Sequence, residues 1–149
     1  MPLRRLDDEA RAVIALANEI AHEYELEYVG TEHILLAILR HGDNIGARVL
    51  GRLGVDEERV RASLAEIAQR AKEDTWVFGR LPGSPHYRNV IERAMETAEQ
   101  LESHSIGTAH LLLALYYDKD SAAQQTLAAL GVPLRKCRDL VLRELTAAG

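Results

Sequence analysis

Glu32 is the residue whose type and setting point most directly to binding chemistry. It stands in VGTEHILLAIL, which begins at Val29, at the head of an otherwise apolar stretch. A carboxylate in the first turn of a helix complements the positive end of the helix dipole. The same carboxylate could instead pair with a cationic group of a ligand whose anionic group reaches backbone N–H donors at a helix start. Both roles stay open on the residues alone. Thr31, just ahead of it, can cap the helix behind it. Thr108 has the same place in IGTAHLLLALY, which begins at Ile106. The residue matching Glu32 there is Ala109, so a site that needs the carboxylate is present once.

The other reactive side chains do not assemble into a pattern. His22-Glu23 lacks the second histidine of a zinc helix, and the six histidines show no Cys/His ligand spacing. His33 and His110 occupy equivalent places, which fits a packing or capping task done twice. The serines have no nucleophile-elbow context. Cys137 falls on the inward face of a helix and reads as a buried small hydrophobe; a thiol paired with His110 is the catalytic alternative. There is no phosphate-binding P-loop and no dinucleotide loop. No catalytic residue, metal or cofactor is expected, and the chain reads as a non-enzymatic recognition module.

The elements that position these residues come from an internal repeat. Gly30 and Gly107 lie 77 residues apart, and the same offset carries Leu53-Gly54-Val55 onto Leu130-Gly131-Val132. It also carries Val13-Ile14 onto Val90-Ile91, Ala17 and Ala21 onto Ala94 and Ala98, and Asp43 onto Asp120. Each unit reads as four helices. In the first, Val13, Ile14, Ala17, Ile20, Ala21 and Tyr24 form one apolar face behind an Asp7 cap. Ser84 and Pro85 suit the matching start in the second unit. Gly30 and Gly107 suit the tight turn before the second helix. Ile34, Leu35, Ile38 and Leu39, with Leu111, Leu112, Leu113, Leu115 and Tyr116, predict the buried helices. A third helix should run from about Asn44 to Leu53 with Asp43 as its cap. Gly54 and Gly131 should take left-handed backbone just past a helix end, with Val55 and Val132 packing back. In the fourth helices Val60, Leu64, Ile67 and Ala68, and then Cys137, Val141 and Leu145, should face inward.

These readings predict an all-α fold, an eight-helix pseudo-twofold bundle made of two tandem four-helix repeats. The first repeat spans 1–73, a linker 74–84 and the second repeat 85–149, the two halves forming one domain. Trp76 and Phe78 should pack the linker against the groove between the halves, with Pro82-Gly83 as a turn.

Composition agrees. The 149 residues are 47% hydrophobic and 28% charged, with aromatics at only 5%, so small aliphatic residues must fill the core. The net charge of −5 and the dispersed Lys and Arg give no basic stripe for nucleic acid. No apolar block resembles a signal peptide or a membrane span, and a cytoplasmic protein is the default. With charged outer faces and no leftover apolar stripe or heptad seam, the chain is expected to be monomeric.

The duplicated GTEHILLAIL and GTAHLLLALY segments, each followed by LGV, resemble the amino-terminal domain of Clp/Hsp100 unfoldases, the ClpC and ClpA types especially. The resemblance runs from about Leu6 to Leu145, and LDDEARAVIALANEIAHE is similar to the family's first helix. It implies a mobile domain that sits on an ATPase ring and receives substrates and adaptor proteins. In ClpC-type proteins that domain also recognises arginine-phosphorylated proteins. The family's guanidinium-reading glutamate falls on Glu32, with Thr31 in the same pocket. The second such glutamate would fall at Ala109, which puts a second pocket in doubt although Thr108 remains. An aromatic usual near the start is replaced by Pro2 and Leu3. The ATPase modules of the family are absent from this sequence. The resemblance thus implies a receptor for substrates or adaptors of a Clp machine. The alternative is a stand-alone regulator that sequesters marked proteins or stabilises a Clp complex. A small hydrolase or metal enzyme on a helical scaffold is the reading from another class.

Overall fold

Each helix start in the first half recurs 77 residues later. A computed structural model describes residues 5–23, 29–74, 85–117 and 121–148, with the side chains of 67–74, 85–88, 147 and 148 excepted. Among them are eight α-helices: α1 (Asp8–Glu23), α2 (Thr31–His41), α3 (Ile45–Arg52), α4 (Glu57–Asp74), α5 (Pro85–Gln100), α6 (Thr108–Ala114), α7 (Ala122–Ala129) and α8 (Leu134–Ala148). The fold is all-α. The one pairing of extended backbone among the described residues is a single parallel bridge between Leu6 and Ile106. It ties the segment before α1 to the segment before α6 through Asp7 N to Ile106 O (2.9 Å) and Ile106 N to Arg5 O (2.8 Å).

Helix packing follows the same repeat except that α2 packs on α3 more closely than α6 does on α7. The hairpin of α1 on α2 is matched by α5 on α6, and α2 on α4 by α6 on α8. Between halves, α3 meets α8 as α7 meets α4; α3 meets α6 as α7 meets α2; and α1 meets α6 as α5 meets α2. Every one of these pairs maps onto its partner when the halves are exchanged, which is the pseudo-twofold arrangement. One core runs through both halves, and Leu35 and Leu112 are fully buried at matching places within it.

Local signals explain most boundaries. The Asp7 carboxylate accepts from Ala10 N at 2.8 Å and so caps α1. Gly54 and Gly131 take φ of 79° and 75°, where a Cβ would be strained. Val55 N then returns to Leu50 O, and Val132 N to Leu127 O, with both valines buried. The third helix corrects one expectation. Its cap is Asn44, not Asp43: the Asn44 carboxamide accepts from Ala47 N at 2.8 Å and donates to Ile38 O. Asn44 is buried whereas Asp43 is exposed, and only the amide can serve both a donor and an acceptor there. Ser121 does the same for α7, accepting from Gln124 N. Gly30 and Gly107 precede α2 and α6 in extended backbone, with φ of −114° and −108°, so no left-handed turn is involved. At Gly107 the requirement is space, because a Cβ there would come within 2.8 Å of the Asp7 carboxylate. Tyr24, Trp76, Phe78, Pro82, Ser84 and Asp120, and the side chains of Ile67 and Ala68, lie outside the described residues.

Candidate functional site

Two helix starts meet beside Glu32. Thr31 is the first residue of α2, and its hydroxyl oxygen accepts a 3.1 Å hydrogen bond from Ala123 N, in the first turn of α7. The mirror contact joins the other two starts: the Thr108 hydroxyl accepts from Gly46 N of α3 at 3.0 Å. Gly46 and Ala123 are themselves repeat equivalents. Thr31 and Thr108 were expected to cap the helices that follow them. Each instead satisfies an otherwise orphaned N–H of a helix in the opposite half. At 1% and 2% exposure both are interior side chains that hold two helix starts together.

The cap of α2 itself is assembled by His33. Its Nδ1 accepts from Gly30 N at 2.8 Å, while His33 N donates to Gly30 O at 3.1 Å. His110 repeats both bonds with Gly107, at 2.8 and 3.1 Å. Histidine thus supplies the N3 half of a capping box, in the usual Glu/Gln position, while the glycine carbonyl takes the N3 N–H in place of a side chain. It bears out a capping task done twice. A neutral ring that accepts at Nδ1 carries its proton on Nε2; in His110 that group faces Ser103 Oγ at 2.9 Å. Burial lowers the basicity of both rings below the ordinary value, against weaker opposing pulls from Glu32 on His33 and from Asp7 on His110.

Glu32 sits one residue inside α2, half-buried, and no hydrogen bond or ion pair engages its carboxylate among the described residues. Its counterpart Ala109 is buried at 1% exposure. The two halves thus share the paired helix starts and differ in one charge. Thr31 and Glu32 are brought together with the start of α7. Thr108 belongs to the other such junction, in the company of Ala109 and α3.

Cys137 is fully buried opposite Val60 in the repeat, as expected of a small hydrophobe. Burial pushes its thiol up to about 11, with the Tyr116 hydroxyl as its polar neighbour. Such a thiol is a poor nucleophile. A cleft of about 310 Å³ lies elsewhere, between α5 and α6, and contains none of Thr31, Glu32 and Thr108.

The class of domain that the geometry defines is an all-helical duplicated bundle with paired helix starts and one unshared carboxylate. The Clp repeat (R) N-terminal domain model matches residues 5–146, and the chain belongs to that family. It is 34% identical over 145 residues to the "Negative regulator of genetic competence ClpC/MecB" of Bacillus subtilis (strain 168), covering 97% of this chain and 18% of that protein. It is 32% identical over 145 residues to "Chaperone protein ClpB" of Oceanobacillus iheyensis, again covering 97% and 18%. Among solved structures, the N-terminal domain of the chaperone ClpD from Arabidopsis thaliana aligns with a TM-score of 0.75 at 20% identity, over 98% of this chain and 97% of that one. The Hsp104 N-terminal domain from Candida albicans aligns at 0.71 and 19%, over 93% and 90%. The chain spans less than a fifth of the length of these curated relatives. No helix among the described residues is long and apolar enough to cross a membrane.

Proposed function

We propose that this chain is a non-catalytic recognition module that receives substrate or adaptor proteins for a Clp ATPase, and that it reads phosphorylated arginine through its first half alone. One observation carries the second part: a half-buried carboxylate, Glu32, stands where two helix N-termini converge, and the equivalent junction has Ala109. Phosphoarginine has a cationic guanidinium close to an anionic phosphate. Glu32 meets the guanidinium in a charge-assisted hydrogen bond. The phosphate faces the positive ends of α2 and α7, where backbone N–H groups favour an anion. Thr31 acts as a positioning residue, since its hydroxyl holds α7 against α2. Thr108 positions α3 in the same way, without a carboxylate beside it.

Calorimetry with free phosphoarginine tests this. One site per chain is expected, and Glu32→Ala should weaken binding by about 1.5–3 kcal/mol, the range for hydrogen bonds to charged groups. Ala109→Glu should add a second, weaker site. Two equal sites in the wild type, or unchanged affinity in E32A with only a lowered melting temperature, would leave Glu32 a helix-dipole residue and nothing more.

A further inference from the structure

Of four charged positions that lie together in the first half, three are uncharged in the second. In the first half they are Glu23, Arg40, Glu57 and Arg61. Arg40 bridges Glu23 at 2.8 Å and Glu57 at 3.1 Å, and Arg61 closes the cluster on Glu57 at 2.7 Å. The repeat places Gln100, Tyr117, Leu134 and Arg138 at the same points of the second half. These residues line a shallow groove floored by Leu101 and Leu113, between α5, α6 and α8. An ion-pair seal in one half is an apolar trough in the other.

Beyond the groove the same face of α8 carries one more apolar residue. Leu134, Arg138 and Leu142 are spaced four apart and share one helix face. The corresponding residues of α4 are Glu57, Arg61 and Ala65. Tyr117 at 43% and Leu142 at 36% are the large hydrophobic side chains that the described residues expose, and both belong to this side of the second half. Arg93 covers one face of the Tyr117 ring at 5.2 Å and bridges Glu96, which fixes the ring as a wall. In the middle of the stripe Arg138 is exposed and forms no ion pair among the described residues. An apolar stripe interrupted by a guanidinium that no described carboxylate pairs with has a definite complement.

We propose that the α5–α6–α8 face of the second half docks a segment of a partner protein that presents apolar side chains on either side of a carboxylate. The apolar groups cover Tyr117, Leu134 and Leu142, and the carboxylate meets Arg138. An amphipathic helix laid in a groove offers residues at this spacing. The surface does not involve Glu32, so it stands or falls separately from phosphoarginine binding.

The probe is a fluorescein-labelled helical peptide of leucine and glutamate, compared with the same peptide bearing lysine for each glutamate. Fluorescence anisotropy should show the glutamate peptide binding at least roughly tenfold more tightly. The double substitution Tyr117→Arg with Leu134→Glu transplants the first half's seal and should weaken that binding by roughly tenfold or more, with helix content unchanged. Arg138→Glu, at an exposed position, should reverse the preference between the peptides. E32A should leave both affinities unchanged. Equal binding of the two peptides, no binding of either, or indifference to R138E would overturn the proposal. So would sedimentation showing self-association that the transplant abolishes, because the occupant would then be a second copy of the chain.

Discussion

At one point on the repeat the first half has Arg40 and the second has Tyr117; at another, Glu57 is matched by Leu134. At the junctions between halves, by contrast, Thr31 and Thr108 make the same hydrogen bond to the same position of the opposite half. The histidine caps coincide as well, down to 2.8 Å at each Nδ1. Interior positions have kept their partners because a buried polar group left unpaired is costly in either half. Exposed positions carry no such constraint, and there the second half has Tyr117 and Leu142 where the first has Arg40 and Ala65. The symmetric part of the molecule is its scaffold, and the asymmetric part is where recognition should be sought.

The largest expected effect tests whether the two cores are equivalent. Leu35→Ala and Leu112→Ala each remove a fully buried side chain at matching places. Each should lower stability by about 2–5 kcal/mol, the lost transfer energy plus the cavity left behind. Urea unfolding measures both. A cost under about 0.5 kcal/mol for either would mean that its half does not depend on the shared core.

A smaller effect sharpens the comparison at the junction. Thr31→Val and Thr108→Val keep the side-chain shape and remove the acceptor, which strands the N–H of Ala123 or of Gly46. Each should cost about 1–3 kcal/mol, and the two costs should be similar. If one valine variant were neutral and the other not, the latch would be one-sided and the pseudo-twofold reading of the interior would fail.

Much of this scaffold was legible in the sequence. The 77-residue offset anticipated the pairing of the helix starts, the third lying one residue later than expected, and Gly54 and Gly131 announced their left-handed positions because no local alternative suits a helix end followed by a buried valine. Other residues needed tertiary information. Asp43 and Asn44 are both good caps, and the choice of Asn44 rests on its second bond to Ile38 O. Thr31 reads locally as a cap, yet its partner Ala123 is 92 residues away. The exposed hydrophobic residues of the second half were not legible as neighbours. Tyr117 lies just past the end of α6 and Leu142 well along α8, and no one-dimensional window joins them. On the residues alone Glu32 stayed open between two roles, because a carboxylate at a helix start satisfies the dipole in either case, and phosphoarginine entered only through the family resemblance.

The gentlest way to probe the matched caps is pH. Each histidine Nδ1 accepts from a glycine N–H, so protonating that nitrogen replaces an acceptor with a donor and breaks the cap. Burial already holds both rings below the ordinary value of 6.5, Glu32 and Asp7 opposing this only in part. In the unfolded chain the rings take up protons near 6.5. As pH falls through that value the unfolded state therefore binds more protons than the folded one, and stability declines. It is fully present above about 6.5 and is lost progressively until the lower folded-state values are passed. Glu57 acts in a separate window: burial works against its charge, yet hydrogen bonds from Arg61 and Arg40 hold its carboxyl below the usual range. Its contribution is lost only when acid reaches the carboxylate region. The double substitution His33→Gln with His110→Gln supplies a side chain that caps in the same position without titrating there. Denaturation midpoints should fall for the wild type between about pH 7 and pH 5 and fall less for the double variant. Each single variant should remove part of the slope, since each half contributes one ring. An identical slope in the double variant would show that the caps are not the acid-sensitive groups, and a slope removed by one substitution alone would show that the two histidines differ in role as well as in neighbours.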